Sequence, residues 1–275
     1  MDHRLPSFII IGAMKAGTTS LHHYLDLHPE ISMSKVKEPN FFIDRNWHKG
    51  LSWYRRKFKN NHKVKGEASP EYSKYPFFQH VPQRIHQTLP HVKIIYMVRE
   101  PIKRVVSHLY HDRRKTRIRY EKVDEIIRTT SNPYVTASQY YYQLEQYFPY
   151  FSKEQILLAT AEELKNDPTG TLKRIFAFLE VDQQFYTPSF ETQKHQSEGR
   201  KLLKNSYLHE LLKHKFYYNY LTKTGLLPTV RVDKPQLSEE MLKYLKKAFA
   251  NDISRLESFI GRELEEWGTS KAYLK

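Results

Sequence analysis

The sequence predicts an α/β fold: a mostly parallel β-sheet flanked by helices on both faces, with a helical C-terminal part, in a single domain over residues 1–275. Three observations lead there. Apolar runs at Phe8–Ile11, Val92–Val98 and Gln155–Ala159 are each followed by a segment of helical periodicity, and strands alternating with helices build parallel sheets covered on both faces. The first run opens directly into a glycine loop. No internal repeat, low-complexity tract or linker divides the chain, and 39% hydrophobic residues suffice for one core.

Taken in order, Phe8-Ile9-Ile10-Ile11 is short, largely β-branched and closed by Gly12, the pattern of a strand buried on both faces. Beyond the loop, Leu21, Tyr24 and Leu25 recur at helical spacing until Pro29 stops them. The stretch Ser34–Lys65 is polar, aromatic and irregular. Val92–Val98 runs into Arg99-Glu100-Pro101 and then a helix with Ile102, Val105, Val106 and Leu109 on one face, Pro101 suiting its first turn. Gln155–Ala159 precedes a helix from Asp167-Pro168 with Leu172, Ile175, Phe176 and Leu179 inward. Asn205–Pro228 is rich in Tyr, Leu and Lys. A last helix is predicted over Ser238–Ile260, with Leu242, Leu245, Phe249, Ile253, Leu256 and Ile260 as its stripe and Gly261 as its stop.

Composition bounds the function. With 45 Lys plus Arg against 30 Asp plus Glu, a net charge of +15, the surface attracts anions such as nucleotides, sulfated or carboxylated glycans, nucleic acid or anionic membrane. Zero cysteine excludes disulfides, thiolate catalysis and thiolate metal sites, and fits a reducing compartment. The opening residues have one short apolar run, and no later stretch approaches the roughly 20 apolar residues of a spanning helix. The expectation is a cytoplasmic protein with neither signal peptide nor membrane span.

A glycine loop that runs into a helix offers backbone N–H groups and the positive helix end to an anion. Here Lys15-Ala16-Gly17-Thr18-Thr19-Ser20 packs a cation, a flexible turn and three hydroxyls into one segment, which favours phosphate over a turn with no ligand. The nucleoside-triphosphate loop G-x-x-x-x-G-K-[ST] sharpens the comparison. Aligned on Gly12 and Gly17, this chain has Thr18 where that motif has its lysine, and its lysine stands at Lys15. A nucleotide kinase built this way lacks the group that reaches the β- and γ-phosphates.

The segment Lys15-Ala16-Gly17-Thr18-Thr19-Ser20-Leu21 resembles the 5′-phosphosulfate loop of the sulfotransferase superfamily, K-x-G-T-[TS]-[SA]-L in its heparan-sulfate-type and bacterial branch. A second motif is similar too. Arg99 ends a predicted strand and Ser107 follows eight residues later, the pair that holds the 3′-phosphate in that family; the usual R-D-P reads Arg99-Glu100-Pro101 here. A guanidinium fork on phosphate, completed by a hydroxyl, is sound chemistry. Ser197-Glu198-Gly199-Arg200-Lys201 resembles the late basic loop that closes over the nucleotide, which would add Gly199, Arg200 and Lys201 to the donor site. Tyr134–Phe151 looks like the helix these enzymes carry before their last core strand, with Tyr140 either facing the site or in the core.

The resemblance implies a P-loop-like sheet and transfer of a sulfuryl group from 3′-phosphoadenosine 5′-phosphosulfate (PAPS) to a hydroxyl or amine, leaving adenosine 3′,5′-bisphosphate (PAP), with no metal. Charge grows on the bridging oxygen as the nucleotide leaves, and Lys15 is the cation assigned to it. The 14 histidines are scattered rather than set at ligand spacing. Lys37-Glu38-Pro39-Asn40-Phe41-Phe42 resembles the K-E-P-x-F-F segment that supplies the base in glycan 3-O-sulfotransferases, making Glu38 the candidate; Glu67, Glu71 and His111 are the alternatives. Ala68 stands in Gly66-Glu67-Ala68-Ser69-Pro70, where the glycan-specific enzymes tend to carry a lysine. A glycan, a lipid or a natural product remains open as acceptor. Two other classes stay in view: a P-loop kinase, and a nucleic-acid-binding module suggested by the charge and the 20 Tyr, 15 Phe and 3 Trp, although no nucleic-acid fold signature accompanies them.

Overall fold

The computed structural model describes residues 4–58, 62–113, 123–129, 132–191, 201–203, 212, 228–231, 233–268 and 273. Five strands, β1 (Phe8–Gly12), β2 (Ile31–Met33), β3 (Val64–Ala68), β4 (Lys93–Val98) and β5 (Ile156–Thr160), form one sheet in the order β2-β3-β1-β4-β5. Every pairing in it is parallel. The helices are α1 (Thr18–Asp26), α2 (Asp44–Trp47), α3 (Gly50–Arg55), α4 (Val81–Thr88), α5 (Pro101–Arg113) and α6 (Val123–Arg128). They continue as α7 (Pro133–Thr136), α8 (Tyr140–Glu145), α9 (Ala161–Asn166), α10 (Pro168–Leu179) and α11 (Glu239–Ile260). A separate antiparallel pair joins β6 (Lys201–Leu203) to β7 (Thr229–Arg231).

Side chains alternate across a strand, so a doubly covered sheet should feed two cores. Phe8, Ile10, Ile95, Met97 and Ala159 pack on one side with α1 and α10 residues such as Leu21, Leu25, Ile175 and Phe176. Ile9, Ile11, Ile94, Tyr96, Val98 and Leu158 pack on the other with Val105 and Leu109 of α5 and Leu245, Phe249 and Ile253 of α11. The predicted three strands and their helices are all present.

Ser34–Lys65 is less irregular than expected: it contains α2 and α3 and ends inside β3. The β3 sequence Val-Lys-Gly-Glu-Ala lacks an apolar run, yet all five residues are buried. Each polar position has its own compensation. Lys65 Nζ donates to the His62 carbonyl at 2.8 Å, Glu67 is held by hydroxyls, and Gly66 leaves the room that the Phe8 ring fills, since a Cβ there would lie 2.0 Å from it. The short edge strand β2 was also not anticipated.

Tyr134–Phe151 is not one helix but α7 and α8, broken at 137–139. In the break Ser138 is wholly buried and its Oγ accepts from Arg104 Nε at 2.6 Å. The last helix runs as predicted, with Ser238 capping Met241 N and Gly261 left-handed at its end. Its buried face, however, is Met241, Leu245, Phe249, Asp252, Ile253, Leu256 and Glu257 rather than including Leu242 and Ile260. No helix among the described residues is long and apolar enough to cross a membrane.

Candidate active site

After β1 the chain turns to the β2–β3 side of the sheet, and after β4 it proceeds to the β5 side. Ligands of open α/β sheets bind at such a switch point, in the crevice beyond the carboxyl ends of the two strands. The loop with Lys15 follows β1 and Arg99 follows β4, so the two predicted donor motifs flank this crevice. Ala13 N donates to the Met97 carbonyl, fastening the loop to β4. Lys15 is left-handed, φ 72°, and Gly17 caps α1 in the same region, φ 87°. No side chain caps this helix, so its first-turn amides are not spent on one. Thr18 is buried, Ser20 half-buried and Thr19 exposed.

Arg99 is half-buried, and its Nη1 donates to the Lys15 carbonyl at 3.4 Å. This contact joins the two donor motifs directly. Tyr140, placed in the core, also supports the site: its hydroxyl donates to the Arg99 carbonyl at 2.6 Å and accepts from the Arg99 amide at 3.4 Å. Glu100 serves α5 as an N-terminal acceptor for the amides of Ile102, 3.0 Å, and Lys103, 2.6 Å. Its carboxylate also accepts from the Tyr273 hydroxyl, and its amide donates to Glu162 Oε1 at 3.3 Å. Ser107 lies buried two turns along α5.

One residue of this helix escaped the sequence reading. Arg104 is fully buried, and its guanidinium donates to the carbonyls of Met14, 3.2 Å, and Tyr134, 2.9 Å, besides Ser138 Oγ. Its Nη2 also lies 3.2 Å from His108 Nδ1. Burial, the adjacent Arg104, and Lys74, His111 and Lys15 beyond it hold His108 far below the ordinary histidine range, so it is neutral and accepts from Arg104. A buried cation thus props the donor loop one residue before Lys15. It lies within the quoted Arg99–Ser107 motif, but an arginine on a helix carries no sign that it points inward.

Glu38, the candidate base, is exposed, left-handed at φ 63°, and paired with Lys37. Lys74 is half-buried and 3.9 Å from Glu71. Burial lowers the Lys74 pKa; Glu71 opposes this, Arg104 adds to it, and Asp112 and Glu38 oppose it. Lys74 therefore feels Glu38, while both Lys74 and Lys15 act on His108. Lys74 follows a proline turn with no pattern that marks it in sequence.

The alternative carboxylates are differently placed. Glu71 is bound by Arg45 at 2.7 Å, and Glu67 is fully buried. His111, in the last turn of α5, adds its charge to the field on His108. Gly199 and Arg200 lie outside the described residues, and Lys201 opens β6. Among the described residues no cluster of His, Asp and Glu is arranged to hold a metal ion.

Comparison with known proteins follows the same geometry. The family model described as "Sulfotransferase domain" matches residues 5–267. Human bifunctional heparan sulfate N-deacetylase/N-sulfotransferase 2 is 30% identical over 200 residues, 65% of this chain and 22% of that protein. Mouse heparan sulfate glucosamine 3-O-sulfotransferase 3B1 is 31% identical over 196 residues, 66% of this chain and 49% of that protein. The chain thus spans half or less of the length of these relatives. A sulfotransferase structure from Alicyclobacillus acidocaldarius superposes with a TM-score of 0.69 at 26% identity, covering 95% of this chain and 98% of that one. Mouse sulfotransferase SULT7A1, solved with PAP, shares the fold at a TM-score of 0.56 and 16% identity, covering 95% and 88%.

Proposed function

The chain belongs to the sulfotransferase domain family, and from that premise we propose that it moves a sulfuryl group from PAPS to a hydroxyl or amine of a glycan. The observation that carries this reading is the Arg99 guanidinium on the Lys15 carbonyl, which supports reading the loop and the arginine as two halves of one donor site. The residues present suit the donor. The α1 terminus has no side-chain cap, and Lys15, Ala16, Gly17, Thr18, Thr19 and Ser20 surround it. Arg99 and Ser107 would take the 3′-phosphate, and Gly199, Arg200 and Lys201 would complete the enclosure.

When bound, the donor supplies an activated sulfuryl group on a good leaving group. Lys15 places a positive charge where the leaving oxygen gains negative charge, and Arg104 keeps the peptide before it from moving. Glu38, exposed at the crevice, accepts the proton of the attacking hydroxyl. Lys74, whose charge Glu38 helps to hold, adds a cation to the same surface, where an anionic acceptor would meet it. The +15 charge and the heparan sulfate relatives support an anionic glycan. The domain match over 5–267 supports one domain, and the cysteine-free composition supports a reducing compartment such as the cytoplasm.

A labelled-donor screen in chelator, against pooled glycans, lipids and small alcohols, tests the acceptor class. Label in the glycan pool is expected. Label confined to the lipids or small alcohols rejects the glycan.

A further inference from the structure

Glu67 is a carboxylate with no exposed surface whose partners are hydroxyls rather than a cation. Tyr54 and Ser69 donate to it at 2.6 Å each, and Tyr72 at 3.0 Å. Two of these hydroxyls also accept from backbone amides. Ser69 Oγ accepts from the Asn40 amide at 3.1 Å, and the Tyr72 hydroxyl accepts from the Phe42 amide at 3.3 Å. An amide only donates, so each of these hydroxyls keeps its own proton to give, and with Tyr54, Ser69 and Tyr72 all donating to Glu67 both carboxyl oxygens are acceptors, the arrangement that suits the ionised form. Protonation would put a donor on one of those oxygens and turn the hydroxyl that faces it, disturbing the relay to the amides.

The amides at the far end of these relays belong to the loop Lys37–Phe42, which carries Glu38. That loop holds two non-glycine residues left-handed, Glu38 at φ 63° and Asn40 at φ 49°, and such backbone persists only where its surroundings fix it. Asn46 Nδ2 holds the carbonyls of Pro39 and Asn40, each at 3.0 Å, and Arg84 Nη1 holds that of Phe42 at 3.0 Å. Glu67 supplies the matching grip on the N–H side, through Ser69 and Tyr72.

We propose that Glu67 is a positioning residue for catalysis: its ionised carboxylate fixes the Asn40 and Phe42 amides and so the backbone that presents Glu38 to the acceptor. The catalytic part rests on the reading of Glu38 as the base. Burial pushes the Glu67 carboxyl up to about 7 against the pull of Ser69, Tyr54 and Tyr72. The titratable groups around it are Tyr54 on α3, Tyr72 in the turn Pro70–Ser73, and Tyr147 after α8, whose phenols are all raised well above their ordinary value and stay neutral. Glu67 is therefore the member of this cluster that changes charge near neutrality. The loop is gripped above that pH and loosens below it.

Amide hydrogen exchange at Asn40 and Phe42 reads the grip without any acceptor. In the wild type, exchange corrected for intrinsic rate should rise on going from pH 8 to pH 6. Glu67→Gln should raise it tenfold or more at pH 8, remove the pH step and lower kcat with donor KM unchanged, and Glu67→Asp should restore part of each. Glu38→Gln should lose turnover while keeping the wild-type exchange pattern. Wild-type exchange in Glu67→Gln overturns the proposal, as does a fall in its kcat with exchange unmoved. Full turnover in Glu38→Gln instead rejects Glu38 as the base, and with it the catalytic half, whatever the exchange shows. Should Glu67→Gln fail to fold, Ser69→Ala with Tyr72→Phe removes both relays with Glu67 in place; the same rise is expected, and unchanged exchange contradicts the relay.

Discussion

Lys15 sits where a left-handed backbone, an uncapped helix and the Arg99 guanidinium meet. On the proposed reading its charge acts on the leaving oxygen, so Lys15→Ala should cost about 10²- to 10³-fold in kcat, the loss typical of one preorganised stabiliser of developing charge. Unfolding temperature should be little changed, and retained turnover would remove Lys15 from the mechanism. Arg104 makes the opposite prediction. Replacing it by Met leaves the carbonyls of Met14 and Tyr134 and the Ser138 hydroxyl without their donor, at about 1–3 kcal/mol for each buried group. Arg104→Met should therefore lower the urea midpoint by at least about 3 kcal/mol equivalent, and an unmoved midpoint would show that those acceptors find other donors. Arg104→Lys should not rescue it, because an ammonium does not reproduce the guanidinium fork.

At the scale of elements, α8 shows how a distant residue completes a helix. Gln139 at its start provides no side-chain cap, and Asp252 of α11 accepts from the amides of Tyr141, 3.1 Å, and Tyr142, 2.9 Å, instead. Asp252→Ala should cost about 1 kcal/mol, as loss of a cap does, and should loosen Tyr140 and the Arg99 backbone that it holds. Burial raises the Asp252 carboxyl to about 6. A group whose folded pKa lies above its unfolded value binds more protons when folded, so this site adds stability on acidification from about pH 6 to pH 4. Asp252→Asn should remove that increment and so be more destabilised, relative to wild type, at pH 4 than at pH 7. Equal differences at both pH values would contradict the assignment. Such long-range caps explain what the sequence withheld. β1, β4 and β5 were legible because they are apolar runs buried on both faces, and α11 because its stripe and caps are local. β3 was not, since Lys65, Gly66 and Glu67 look like a loop until His62, Phe8 and the hydroxyls around Glu67 are in place. The same physics hid residues of the candidate site. Lys15, Arg99 and Ser107 stand at motif spacing, whereas Lys74 and Arg104 acquire meaning only from burial and neighbours.

Across the whole molecule, the sheet order sends the chain to opposite sides after β1 and β4, and the crevice so opened receives the donor motifs from both strands. The donor class was legible in the sequence because two short motifs, Lys15–Ser20 and Arg99–Ser107, resemble the family's donor motifs, whereas no motif in the chain names an acceptor. The excess of 45 basic over 30 acidic residues adds an attraction for anions without choosing among them. On the proposed reading, this crevice holds an adenosine 3′,5′-bisphosphate nucleotide without a divalent metal. Calorimetry of PAP binding in excess chelator tests it most directly, with wild type compared to Arg99→Ala and with magnesium-ATP as the competing ligand. Saturable one-to-one PAP binding is predicted, weakened about ten- to a hundredfold by Arg99→Ala as a charged hydrogen-bonding group is lost. Absence of PAP binding, or tight binding of magnesium-ATP in its place, would contradict it.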